Sequence, residues 1–483
     1  MKKKHIWLIT TDQMRADTIG YENEKVQTPA LDELASQGIV FSKAYCPSPV
    51  CTPSRASIFT GRYPHVHGAW NIGVSLREDE MTLCDHLKPL GYRTVGVGKM
   101  HFRPQCKPGF NMAAEDVSYR DRGRASDGTY YGFDEIHISE DNMIGEYYDW
   151  LQEKDPEVYG RFIRDRYRGE DAQGDVWERD MPAELHQTYW IAEKSIEAIR
   201  AHEGEESLFL WTSFVDPHHP FDPPREYADR YANIEIELPR MQPGELALRP
   251  EHLLRQGERG YWPGGAEPHQ HQDEHLIRLT RNYYAMITFI DEQIGRMVDV
   301  WKEKGMYDEL VIVFTSDHGE LLGDHGLLYK GPWLYEGLTR IPMLIRDPDV
   351  SGGIRVEGLM EHVDIVPTLL SAIGQKKPYG VQGISQLDVM MGSIPQVRTS
   401  AITAYDAHDR GIQAKCMRTE RYKLVIFAGE AYGELYDLHL DPEERCNQFF
   451  ESSYKEIKLE LMEMLTHRLI QDQDPLPERT CDW

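Results

Sequence analysis

The sequence predicts an α/β fold: a large central mixed, mostly parallel sheet flanked by helices, followed by a small C-terminal antiparallel sheet with one packing helix. Three observations carry this reading. Short, β-rich apolar runs are separated by stretches of helical periodicity over most of the chain, the pattern of parallel βα units. Several of those runs end abruptly in charged or imidazole side chains, the place where open α/β sheets bind ligands. From about residue 375 the pattern changes to paired strands and a final helix, so we expect an α/β domain over 1–374 and an α+β subdomain over 375–483.

At 483 residues the chain can bury a substantial core. Its net charge of −27 repels polyanions over about a Debye length, which argues against nucleic acid and against long polyanions laid along an open surface. A small anion can still enter a locally basic pocket, and the acidity also serves solubility. The basic start, Met1 to His5, leads into an apolar run too short for a signal peptide, and no run approaches a membrane span. The seven cysteines (46, 51, 84, 106, 416, 446 and 481) show no metal-type spacing, and their odd number leaves one unpaired. Reduced, cytoplasmic protein is the simplest expectation, with export and leader removal as the alternative.

In chain order, the run 5–11 ends in Asp12-Gln13, with Arg15 and Asp17 close behind. Asp12 is either a ligand at a strand end or a cap for the next helix, and the crowding of polar groups favours the ligand. Leu31, Leu34, Ala35 and Ile39 follow as an amphipathic helix leading through Val40-Phe41. The stretch from Cys46 to Gly68 places Cys51 at or near a helix start, four residues before Arg55, with Pro53 between and Ala56 to Phe59 continuing the helix to Gly61. A helix start favours an anion. A buried structural cysteine in a Pro-rich turn fits the same residues. Met81 to Leu90 reads as a helix stopped by Gly91, and Tyr92 to Gly98 as a strand ending in Lys99-Met100-His101, candidates for anion contacts.

Residues 103–182 look irregular, with aromatic-acidic clusters at 130–134 and 145–150 that either shape a pocket or pack under a long loop. A helix over 184–201 precedes an apolar strand over 208–215, which ends in Asp216-Pro217-His218-His219-Pro220-Phe221. Residues 225–275 are a Pro-, Gly- and His-rich loop, and 276–304 is a long helix ended by Gly305. The most hydrophobic strand, 309–316, ends in Asp317-His318-Gly319-Glu320. A hard carboxylate with an imidazole, echoing Asp12-Gln13, is metal-ligand chemistry. A strand over 341–346, a helix over 364–373, paired strands at 418–427 and 433–438, and a helix over 454–469 complete the chain.

Cys51-Thr52-Pro53-Ser54-Arg55 with Gly61 to Gly68, Gly98-Lys99-Met100-His101, Pro217-His218-His219-Pro220-Phe221 and Thr315 to Glu320 together resemble the type I, formylglycine-dependent sulfatases of the alkaline phosphatase superfamily, in order and over nearly the whole chain. The resemblance implies an alkaline-phosphatase-like sheet and a sulfuric ester hydrolase. It implies that a separate maturing enzyme converts Cys51 to formylglycine, whose hydrate attacks sulfur. One divalent metal, Ca²⁺ first and Mn²⁺ second, would be held by Asp12, Gln13, Asp317, His318 and the modified Cys51. By the same resemblance Arg55, Lys99 and Lys330 hold the site and neutralise charge. His218 rather than His219, together with Lys330, protonates the leaving alcohol, and His101 assists collapse of the hemiacetal that releases sulfate. The sequence departs from the commonest pattern, Asp-Asp and a final Asn, at Gln13 and His318. Those two residues also resemble phosphonate monoester and phosphodiester hydrolases, the alternative activity, whereas the cysteine motif favours sulfate esters. A non-catalytic sulfo-sugar binder, with Cys51 never modified, is the reading from a different class. The expected substrate is a small sulfated sugar or an aryl sulfate. No nucleic acid or membrane partner is expected, and the oligomeric state is not readable.

Overall fold

Apolar runs without polar alternation form strands covered on both faces, and the computed structural model of the chain is built around such strands. It describes residues 4–104, 130–141, 145–167, 176, 181–204, 206–239, 245 and 273–478. One sheet contains β1 (His5–Thr11), β2 (Ile39–Tyr45), β3 (Tyr92–Gly98), β4 (Glu135–Ile138), β5 (Ser207–Ser213), β6 (Leu310–Ser316), β7 (Arg340–Ile341), β8 (Met343–Arg346) and β9 (Ile354–Glu361). Its path is β4-β3-β5-β1-β6-β8-β2-β7, with β9 also paired to β2. The first five strands of that path are mutually parallel. β8 joins β6 antiparallel, and β2 runs antiparallel to β8 and parallel to β9. The sheet is therefore mixed but mostly parallel, as expected.

Successive residues of a strand face opposite sides. Trp7, Ile9, Leu208, Leu210, Ile312 and Phe314 enter one apolar cluster, and Ile6, Leu8, Phe209, Trp211, Val311 and Val313 enter another. Helices cover the two sides: α1 (Pro29–Gln37), α2 (Cys51–Thr60), α3 (Gln187–Ala201), α4 (Asp273–Glu303) and α5 (Ile365–Ala372). α1, α3 and α4 contribute Leu31, Ile191 and Ile290 to the first cluster, while α2 and α5 contribute Phe59 and Leu369 to the second. Phe59 is ringed by Phe102, Phe133, Phe209 and Trp211 at centroid distances of 4.3–6.3 Å. No helix among the described residues is long and apolar enough to cross a membrane.

Local deviations from expectation have local causes. Ile39, read as the end of a helix, begins β2, because the helix stops at Gln37 and Gly38 is extended. The strand expected over 341–346 is two pieces, because Pro342 lacks the N–H a ladder needs. The stretch 103–182 contains β4 and helices at Glu146–Lys154 and Pro156–Tyr167, while much of it, and of 225–275, lies outside the described residues.

The C-terminal region forms a second sheet, β10 (Ser400–Ala407), β11 (Ile412–Thr419), β12 (Tyr422–Phe427) and β13 (Gly433–Asp437), antiparallel throughout. One face packs Ile402, Met417, Leu424 and Leu435 on Leu461 and Leu465 of α6 (Lys455–Gln471). The other face packs Tyr405, Ala414, Val425 and Phe427 against Val50, Leu321, Leu327, Trp333 and Leu334. This sheet therefore backs both the residue preceding α2 and the loop following β6.

Buried charges tie the regions together. Arg398 contacts Asp364 Oδ2 at 2.7 Å and Glu361 Oε2 at 2.6 Å, and Arg468 of α6 reaches the hydroxyl of Tyr63 at 2.8 Å and Glu361 at 3.2 Å. Asp364 and Glu361 are fully buried. Arg398→Ala leaves buried Asp364 without its cation and Glu361 with Arg468 alone, so we expect a loss of about 3–5 kcal/mol of stability in chemical denaturation. A loss below about 1 kcal/mol would show that the cluster does not hold the junction.

Candidate active site

Adjacent parallel strands in register deliver the residues that follow them to one edge of the sheet. β3, β5, β1 and β6 are neighbours in that order. They are followed by Lys99 and His101, by Asp216 to His219, by Asp12 and Gln13, and by Asp317 and His318. Cys51 is the first residue of α2, and Arg55 lies one turn on, hence on the same side of the helix. Two glycines permit close approach of backbones at this edge. A Cβ on Gly98 would stand 1.9 Å from Ser213 O, and one on Gly319 would stand 1.9 Å from Gly337 O. Gln13, His101 and Tyr329 hold φ of 66°, 53° and 62°, a left-handed conformation costing about 1–2 kcal/mol each. Hydrogen bonds maintain it: Gln13 N donates to Asp317 Oδ1 at 3.1 Å, Tyr283 OH donates to Gln13 O at 2.6 Å, and His101 N donates to Glu140 Oε1 at 2.9 Å.

Every residue expected from sequence lies in or beside one buried cluster. Ligand atoms of Asp12, Cys51, Asp317 and His318 all lie within 4.8 Å of one another. Lys330 Nζ is 3.0 Å from Cys51 Sγ, and Lys99 Nζ is 2.8 Å from Asp12 Oδ2. Arg55 donates from Nε to Asp317 Oδ2 at 2.8 Å, approaches Asp12 Oδ2 at 3.3 Å, and meets Lys99 O at 2.8 Å and Ser213 Oγ at 2.7 Å. It is fully buried and bridges the two carboxylates. His218 Nε2 stands 3.9 Å from Asp141 Oδ2, which is 3.2 Å from Lys99 Nζ. His219 stacks on His218 at 4.1 Å and also reaches Gln13 Nε2 at 3.3 Å.

The charge states follow from burial and neighbours. Burial raises Asp12, but Lys99, Lys330, His218 and Arg55 outweigh it and hold the carboxyl well below its usual range. Burial, then Asp12, pushes the Cys51 thiol up to about 12. Burial and then Lys99 lower His101 to about 3, and burial, Lys330 and His219 hold His218 well below the ordinary histidine value. Burial lowers His318 to about 4 and raises Glu320 to about 7.

The donor set suits a hard divalent cation. His318 Nδ1 lies 2.8 Å from Gly319 O; donation there leaves the Nε2 lone pair as a ligand. That Nε2 is 3.7 Å from Asp12 Oδ1, 3.8 Å from Asp317 Oδ1 and 3.3 Å from Cys51 Sγ. Adjacent ligands around an ion with bonds of about 2.4 Å stand about 3.4 Å apart, close to these separations. Gln13 Oε1 is buried and makes no hydrogen bond among the described residues, an amide oxygen open to a cation.

Three side chains at the site carry no role assigned from the sequence. Glu320 accepts from Gln13 Nε2, and its motif position is the available signal. Asp141 follows β4, a strand hidden in an irregular stretch. Ser54 donates to Asp317 O at 2.5 Å and lies 3.0 Å from His362 Nδ1, fixing α2 against the end of β6.

Known proteins resemble the chain over most of its length. The family model described as Sulfatase matches residues 4–375, and one described as N-sulphoglucosamine sulphohydrolase, C-terminal, matches 323–471. An arylsulfatase of Clostridium perfringens is 32% identical over 471 residues, covering 94% of this chain and 92% of that protein. An N-acetylglucosamine-6-O-sulfatase of Bacteroides thetaiotaomicron is 27% identical, covering 98% and 88%. The crystal structure of a phosphonate monoester hydrolase of Agrobacterium radiobacter superposes with a TM-score of 0.85 at 25% identity, covering 98% of this chain and 97% of that one.

Because the Cys51 thiol is buried and uncharged until the pH nears 12, unmodified Cys51 should resist alkylation at pH 8 while exposed Cys446 reacts. Peptide mass spectrometry after iodoacetamide treatment of the folded chain reads this. Labelling of Cys51 as fast as Cys446 would contradict a buried, uncharged thiol.

Proposed function

The chain belongs to the sulfatase family, and we propose that it hydrolyses the sulfate ester of a small sugar or aryl alcohol, using a formylglycine made from Cys51 and one divalent metal ion. The observation that carries the reading is the position of Cys51 Sγ, at the start of α2, within 4.8 Å of ligand atoms of Asp12, Asp317 and His318 and 3.0 Å from Lys330 Nζ.

Asp12, Gln13, Asp317 and His318 would hold the metal, with Ca²⁺ favoured by the oxygen ligands and Mn²⁺ next. When bound, the ion supplies positive charge that acidifies a hydroxyl beside it and offsets charge on the sulfate oxygens. Two hydroxyls on a hydrated aldehyde at position 51 allow two successive steps, where a thiol allows one. The first attacks sulfur in line with the ester bond. Loss of the proton from the second expels sulfate and restores the aldehyde. Lys99 and Lys330 sit where they neutralise the transferring group. Arg55 acts mainly on Asp12 and Asp317, holding the carboxylates in place.

The two histidines suit opposite proton transfers. His101 is neutral, and neither of its ring nitrogens has a hydrogen-bond partner among the described residues, so it can accept the proton of the second hydroxyl. His218 Nδ1 lies 2.7 Å from His219 O; donation there leaves Nε2 for the leaving oxygen. An entering sulfate anion favours protonation of His218, which burial and then the neighbouring Lys330 otherwise suppress. Maturation requires a separate aldehyde-forming enzyme.

Phosphonate monoester hydrolysis is the second reading, favoured by Gln13 and His318 and by the 0.85 TM-score to the Agrobacterium radiobacter enzyme. It needs the same nucleophile and metal, so the substrate decides. Assayed side by side, sulfated mono- and disaccharides and aryl sulfates should be turned over with a higher kcat/KM than phosphonate monoesters. The reverse order would make the second reading the correct one.

Active preparations should carry the aldehyde at position 51 by peptide mass spectrometry, and Cys51→Ala should lose at least about 10³-fold in kcat. Turnover surviving in Cys51→Ala would remove the nucleophile assignment. Chelation should abolish activity, and Ca²⁺ or Mn²⁺ should restore it. Full activity after proven metal loss would end the metal role.

A further inference from the structure

A neutral amide serves a cation only through its oxygen, and the amide of Gln13 has two orientations of nearly equal shape. The backbone at Gln13 is pinned at both ends, by Asp317 Oδ1 on its N–H and by Tyr283 OH on its carbonyl. What remains to be fixed is which end of the side chain faces which neighbour.

We propose that Glu320 is a positioning residue that locks the Gln13 amide with its oxygen as the metal-ligand atom. The proposal rests on the reading of Asp12, Gln13, Asp317 and His318 as the metal set. Glu320 is fully buried, and its two oxygens have separate tasks. Oε1 accepts from the backbone N–H of Leu322 at 3.0 Å and from that of Tyr329. Backbone N–H groups only donate, so this oxygen is held as an acceptor. Oε2 then accepts from Gln13 Nε2. Nε2 also lies 3.3 Å from His219 Nδ1, which takes its second hydrogen when that ring carries its proton on Nε2. With Nε2 held by Glu320, Oε1 of Gln13 is left buried without a hydrogen bond among the described residues. Turning the amide over would set its oxygen against the carboxylate of Glu320 and waste both donors.

The arrangement makes a substitution of equal shape informative. In Glu320→Gln the backbone N–H groups of Leu322 and Tyr329 still demand an oxygen, so the new NH₂ must face Gln13. Gln13 then turns its own oxygen to that NH₂ and presents its nitrogen, whose lone pair is delocalised into the carbonyl, to the metal. Adding Gln13→Glu supplies an acceptor for the new NH₂ and returns an oxygen to the metal.

The test is the affinity of the full chain for Ca²⁺ and for Mn²⁺ by isothermal titration at pH 8, after metal removal, with the thermal unfolding midpoint measured on each variant. Glu320→Gln should bind each ion about 10–100-fold more weakly, and the Gln13→Glu/Glu320→Gln double variant should recover most of that loss. Gln13→Met, which fills similar space without a ligand oxygen, should weaken binding to the same degree. Unchanged affinity in folded Glu320→Gln or in Gln13→Met, or no recovery in the folded double variant, overturns the proposal. Asp317→Asn separates the two levels. If it removes metal binding while Glu320→Gln changes nothing, Glu320 alone is misassigned; if it too leaves affinity unchanged, the metal set itself is wrong and the proposal falls with it.

Discussion

Asp12 and Asp317 end up together because β1 and β6 are adjacent and parallel. Both are fully buried, and their ligand atoms lie within 4.8 Å. At that distance two like charges oppose each other by about 3.5 kcal/mol in an effective dielectric of about 20, before any desolvation. Arg55 bridges them, and Lys99 adds a second cation on Asp12. The register of α2 is thus set by charge as well as by packing: Arg55 must meet the carboxylates while Phe59, one turn later, enters its aromatic ring cluster. Cys51, one turn before Arg55, is carried into the site as a consequence.

The rest of the architecture keeps that arrangement dry and fixed. The loop after β6 folds back on itself, with Gly319 N on Leu338 O at 2.8 Å and Leu321 N on Tyr329 O at 3.1 Å. The C-terminal sheet supports it through Leu321, Leu327 and Trp333, which places Lys330 against Cys51. Backbone strain gathers in the same places, at Gln13, His101, Leu322, His325 and Tyr329. Residues held at positive φ next to reacting groups are a known way of storing pre-organisation. Gln13, His101, Leu322 and Tyr329 each have a named hydrogen bond that maintains the strained backbone.

Much of this is legible in the sequence, and for a definite reason. A buried strand is a continuous apolar run, and its end is marked by the first charged residue, so Asp12, Lys99, Asp216 and Asp317 advertise the four strand ends. What the pattern cannot show is which strand lies beside which, since β3, β5, β1 and β6 are far apart in the chain. β4 and β9 do not stand out because strands with mixed burial lack a continuous apolar run, and β9 begins with two exposed residues; β10 is buried throughout, but Ser400, Thr403 and Asp406 interrupt its run. The resemblance gives Arg55 the task of holding the site and neutralising charge, and the geometry shows its donors engaged with Asp12, Asp317, Ser213 and a carbonyl. Its partners are distant in sequence, so spacing carries no sign of them. Glu320 and Ser54 are visible as motif letters, but their roles depend on contacts to Gln13 and Asp317 that only the fold creates.

The measurement that bears most directly on a metal-assisted site is anomalous X-ray diffraction from crystals of the matured protein grown with Mn²⁺. The geometry predicts a strong peak within bonding distance of Asp12, Gln13 Oε1, Asp317 and His318 Nε2, on the side of residue 51. A well-occupied Mn²⁺ bound elsewhere, with no peak among these residues, would contradict it.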